Sequence, residues 1–116
     1  MQSARGQKEI EIMLNVYELV LGLLRKMVPV VAKMEKRDPD LARQCRRAMT
    51  SAALNIEEGR ARRGGNGRLR FETAMGSANE TRACIEVAVA LGYLPPEPEL
   101  TDGWDRAART LRKLMR

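Results

Sequence analysis

Two short polar constellations and one run of arginines are the places where this chain could do chemistry. Asn55 and Glu58 stand three residues apart, as do Ser77 and Glu80, so each pair shares one side of its own helix. Carboxylates brought together from neighbouring helices can divide the acid and base roles of a reaction. The chain has no histidine, and no cysteine stands beside a base that would activate it. The four residues are therefore expected to hydrogen-bond within the fold, and no catalytic activity is expected.

The arginine run is the stronger signal. Arg60, Arg62, Arg63, Arg68 and Arg70 fall within eleven positions, together with Gly64-Gly65-Asn66-Gly67 and without one acid. Net charge is regional: residues 1–59 carry +2, 60–70 carry +5, 71–103 carry −5 and 104–116 carry +4. Arg68 and Arg70 come near the start of a helix, where the positive end of the dipole disfavours cations, so fold stability does not explain them. Guanidinium groups beside a glycine-rich turn can approach phosphates closely. The turn lacks the Gly-Lys-Ser/Thr ending of a nucleotide-binding loop.

Arg109, Arg112 and Lys113 form a second basic set. They sit at a helix C-terminus, where cations complement the dipole, so they are weaker evidence for a ligand. Aromatic residues make up 3% of the chain, too few for base stacking to lead recognition. Binding is expected to be led by phosphate, strongly salt-dependent and indifferent to sequence, with RNA and DNA both open. The competing expectation is an interaction oligomer whose basic turn meets an acidic protein partner.

Four helices must position these groups. Ile10, Leu14, Tyr17, Leu21, Leu24, Val28 and Val31 recur every three or four residues and predict the inner face of a first helix, with Pro29 as a kink or an end. Asp38-Pro39-Asp40 predicts the start of a second, with Leu41, Cys45, Ala48, Ala52 and Ile56 facing inward. Its end is expected either at Gly59 or after an arginine-rich last turn running on to about Arg63, with Gly64-Gly65-Asn66-Gly67 breaking the helix there. A third helix is expected from about Leu69, with Ala74, Ala78, Ile85, Ala88 and Leu91 inside, ending at Gly92 before Pro95-Pro96. Asp102 and Asp105 suggest a capping box, so a fourth would begin at Trp104 and reach Met115. The small residues Ala48, Ala52, Gly76, Ser77 and Ala78 predict a close contact between the second and third helices. These elements describe an all-α, antiparallel up-down-up-down four-helix bundle over residues 1–116 as one domain.

The remaining bounds are exclusions. Asn15, Glu18, Arg25 and Lys26 interrupt the most apolar region, so no membrane span is expected. No secretory leader precedes it, which suggests the cytoplasm. Cys45 and Cys84 form no C-x-x-C spacing, so buried free thiols are expected, with no metal and no cofactor.

The run Gln44-Cys45-Arg46-Arg47-Ala48, then Ser51, Asn55-Ile56-Glu57-Glu58-Gly59, Phe71, Ala74-Met75-Gly76-Ser77, Glu80 and Leu91-Gly92-Tyr93-Leu94 resembles the four-helix bundle proteins encoded in 23S rRNA intervening sequences. The resemblance covers about residues 10–95 and extends, more loosely, to the accessory variability determinant of diversity-generating retroelements. It implies an antiparallel bundle assembled as a ring of five, a homopentamer with basic surfaces suited to nucleic acid. The retroelement likeness implies a reverse transcriptase as partner. Within the shared motif, Asn55, Glu58, Gly59, Gly76, Ser77 and Glu80 are structural. Glu57 stands where a small residue is usual in these proteins, and Ala78 where a leucine often follows Gly-Ser.

Overall fold

The structure, a computed structural model, describes residues 4–62 and 65–115. Among the described residues four helices follow one another: α1 (Ala4–Arg37), α2 (Pro39–Ala61), α3 (Gly65–Ala90) and α4 (Pro98–Leu114). Among the described residues there is no strand. Each helix packs against the next, and α1 also packs against α4. The molecule is elongated, 52 × 23 × 20 Å. Its long axis is about that of α1, whose 34 residues at about 1.5 Å each span roughly 51 Å.

The core runs the length of this assembly and is built from small and flexible side chains around one large one. Trp104 of α4 is fully buried with Met27 and Met34 of α1, Ile56 of α2 and Ile85 of α3. No helix among the described residues is long and apolar enough to cross a membrane.

The helix starts follow local chemistry. The Asp38 carboxylate accepts a hydrogen bond from the Leu41 N–H at 3.0 Å, and Pro39 occupies the first position of α2, as its sequence predicts. The end of α3 is also as expected. Gly92 takes φ +79°, its N–H donates to Val89 O at 3.0 Å, and the Tyr93 N–H donates to Ala88 O at 2.8 Å. Those two bonds close the last turn on a left-handed residue that glycine adopts without strain.

Several expectations are corrected. The inner face of α1 is Met13, Val16, Val20, Leu23, Met27, Val30, Val31 and Met34. Of the stripe expected there, only Val31 is buried, whereas Leu14 and Val28 are 42% and 65% exposed. Two apolar stripes lie side by side on this helix, and periodicity alone does not choose between them. Pro29 neither ends α1 nor divides it. Because α4 begins at Pro98, with Leu100 and Thr101 donating to Glu97 O, the Asp102 and Asp105 pair lies inside the helix and caps nothing. Leu41 is only half-buried, with Ala42 beside it taking the core position, and Leu91 is 54% exposed beyond the end of α3.

Candidate nucleic-acid interface

The basic segment joins α2 to α3, and two glycines decide how closely. Gly59 does not end α2; it is buried two residues inside the helix, under the Phe71 ring of α3. A Cβ on Gly59 would come within 2.6 Å of Phe71 Cε1. Gly67 is buried in the first turn of α3, where a Cβ would run into the carbonyl oxygen of Arg62. Of the expected glycine turn, Gly65, Asn66 and Gly67 belong to α3, which starts at Gly65 and not near Leu69, while Gly64 lies outside the described residues. Glycine costs about 0.5–1 kcal/mol in a helix, but a tertiary contact that admits no Cβ outweighs that preference.

The arginines divide into engaged and unengaged groups. Arg60 makes two hydrogen bonds to the Glu57 carboxylate, Nε to Oε2 at 3.1 Å and Nη2 to Oε1. This contact holds the Arg60 pKa above its ordinary value, first through the hydrogen bonds and then through the charge of Glu57. Arg62, at the C-cap of α2, lies 3.1 Å from Glu58 Oε2. Both pairs are open to water, where such bridges contribute little, so phosphate can displace the carboxylates. Arg68 is exposed and Arg70 half-exposed, and neither makes an ion pair among the described residues. Arg63 lies outside the described residues.

The second basic set is not separate from the first. Arg109 is held by Asp105, Nε to Oδ2 at 2.9 Å, while Arg112 and Lys113 are exposed in the last turn of α4. Arg112 and Arg68 line the same surface hollow, about 340 Å3, with Glu72, Met75 and Met115. Forty-four residues separate these two guanidiniums in the chain, and the packing of α3 on α4 brings them together. Sequence reasoning missed Arg82, the lone cation of the acidic stretch 71–103. It reaches Asp105 Oδ1 at 3.2 Å and shares that carboxylate with Arg109. Its isolation among acids was the available signal.

The polar constellation resolves into a node between α2 and α3. Ser77 Oγ donates to Ser51 Oγ at 2.9 Å, and Asn55 Nδ2 donates to Ser51 O at 2.9 Å and to Ser51 Oγ at 3.1 Å. Glu58 is turned to Arg62, and Glu80 is exposed without an ion pair among the described residues. Neither carboxylate joins the node. Gly76 does not form the expected close contact, because the space a Cβ would fill is open to 4 Å. Of the other small residues expected there, Ala48, Ala52 and Ala78 are buried as expected, Ser77 is half-buried at the node, and Ala74 joins the buried ones.

Cys45 and Cys84 are buried free thiols, as expected. The hydrogen bond between them and their burial push the Cys45 thiol above its ordinary value. That leaves it protonated and a poor nucleophile.

The family model described as 23S rRNA-intervening sequence protein matches residues 12–115. No curated protein matches the chain, and no solved structure does. The match takes in all of α2, α3 and α4 and most of α1. The chain belongs to the 23S rRNA-intervening sequence protein family.

Proposed function

We propose that this member of the 23S rRNA-intervening sequence protein family is a cytoplasmic, non-enzymatic nucleic-acid-binding protein that works as an oligomer. The bundle is antiparallel, up-down-up-down, and several copies close into a ring, a homopentamer. Each copy presents Arg60, Arg62, Arg63, Arg68 and Arg70 with Arg109, Arg112 and Lys113 to phosphates. The observation that carries this reading is the meeting of Arg68 and Arg112 on one hollow. Each lacks an ion-pair partner among the described residues. Guanidiniums gathered in this way favour a polyanion over a single charge.

Assembly is supported by the outer stripe of α1. Leu14 and Val28 are exposed, with Ile10, Tyr17, Leu21 and Leu24 half-buried along the same side. An apolar strip of that length is an interaction surface, and identical copies are the commonest partners. Likeness to the retroelement accessory protein favours a reverse transcriptase as a further partner. Titration of mixed-sequence RNA and DNA over a range of salt concentrations, with and without the arginines of the α2–α3 connection, tests the central claim.

A further inference from the structure

The hollow that joins Arg68 to Arg112 does not stand alone. A second, about 290 Å3, opens beside it between α3 and α4, lined by Asn79, Arg82, Asp105 and Arg109 and sharing Met75 and Arg112 with the first. On α3 the lining positions are 68, 72, 75, 79 and 82, alternating steps of four and three residues that keep to one stripe of a helix. From Arg68 to Arg82 that stripe runs roughly 21 Å at about 1.5 Å per residue. The two hollows form one trough along the seam.

We infer that this trough is a track for the phosphate backbone of single-stranded nucleic acid. The inference rests on the nucleic-acid reading above and narrows it to a surface and a ligand form. Four guanidiniums, Arg68, Arg82, Arg109 and Arg112, border the trough against two carboxylates, Glu72 and Asp105. Asp105 works in its favour. By bonding Arg82 from α3 and Arg109 from α4 it fixes both guanidinium planes at the rim, and each keeps further N–H groups for a phosphate. The Arg82 Nε is buried and lacks a hydrogen-bond partner among the described residues, with Glu86 Oε1 3.9 Å away.

Shape selects the strand. The lining stripe runs straight along α3 for its whole length, so one extended strand can follow it throughout, whereas each backbone of a duplex winds away from a straight track. No aromatic side chain lines either hollow, so the bases are not stacked on protein and sequence is not read. An acidic helix would need apolar pockets at helical spacing along the whole seam, whereas Met75 and Met115 give the first hollow its apolar wall and Asn79, Arg82, Asp105, Arg109 and Arg112 dominate the second.

The test uses a labelled oligouridylate strand and a labelled RNA duplex, titrated by fluorescence anisotropy at several KCl concentrations. Arg82→Gln combined with Arg112→Gln should weaken strand binding about tenfold and lower the log–log salt slope by about 1.4, two contacts at roughly 0.7 each. Because Arg82 ties α3 to α4, Asn79→Asp is the companion variant. It alters one terminal group and places a negative charge in the trough, and it should weaken binding about threefold or more. Arg43→Gln combined with Arg47→Gln removes as much charge from the exposed side of α2 and should change affinity by less than about twofold. Equal losses in the seam and α2 variants, wild-type binding by Asn79→Asp, or duplex or polyglutamate competing as well as unlabelled strand would each overturn the track. Failure of the wild-type protein to bind any oligonucleotide would instead remove the nucleic-acid reading on which it rests.

Discussion

Gly59 and Phe71 meet so closely that the α2–α3 packing leaves no room for a methyl group. A Cβ on Gly59 would stand 2.6 Å from the ring's Cε1 and 2.7 Å from Cδ1. Gly59→Ala should therefore destabilise the protein by about 1–3 kcal/mol, the usual cost of overpacking a tight contact. Gly76→Ala should do the opposite and add about 0.5–1 kcal/mol, since its site is open and alanine is the better helix former. Thermal melts followed through the buried Trp104 read both changes. Equal effects from the two glycines would contradict the packing described here.

The outer stripe of α1 should govern assembly without governing folding. Leu14→Glu with Val28→Glu places charges at exposed positions, so the helical spectrum should stay near wild type. The mass in solution should fall from that of an oligomer toward the 13.0 kDa of one chain. A wild-type protein that is monomeric at every concentration would remove the ring.

Stability should be flat across neutral pH and fall in acid. No histidine is present to titrate between pH 5 and 8. Arg46 beside Glu35, Arg43 and Gln44 beside Asp40, and Lys26 beside Glu99 hold these carboxyls below their ordinary values of 4.5, 3.8 and 4.5. A depressed carboxyl contributes stability that is present above its unfolded value and lost as pH falls through its folded one. The melting temperature should thus decline below about pH 4.5. All three groups are open to solvent, so the decline should be shallow and weaker in high salt. Arg46→Gln should remove the Glu35 part of it, as melts at matched ionic strength would reveal.

Local chemistry made some of this fold readable in the sequence. Asp38-Pro39 and Gly92 carry their own instructions, a side-chain cap and a left-handed turn, and the structure follows both. Where tertiary contact decides, local sequence signals do not suffice. Gly59 and Gly67 looked like helix breakers and are helix members, kept small by Phe71 and by the Arg62 carbonyl. On α1 two apolar stripes lie side by side, one in the core and one on the surface, and periodicity does not distinguish them.

The candidate site was legible as charge and not as place. The arginines of residues 60–70 and those of α4 stand apart in the chain, and only the α3–α4 seam brings Arg68 beside Arg112. Glu57 and Glu58 lie just outside the acid-free run, yet they reach into it and engage Arg60 and Arg62.

The salt dependence of nucleic-acid binding tests the account most directly. Wild-type protein and the variant carrying Arg62→Gln, Arg63→Gln, Arg68→Gln and Arg70→Gln are titrated with mixed-sequence RNA and DNA over a range of KCl concentrations, with helical spectrum and oligomeric mass as controls. The variant should keep its fold and mass, bind more weakly, and lose about 0.7–0.9 of log–log slope for each phosphate contact removed. Multivalent contact in a ring would enlarge the deficit, because every copy presents the same arginines. Equal affinity and an equal slope in the two proteins would contradict it, leaving the basic connection between α2 and α3 a solvated surface with no part in binding.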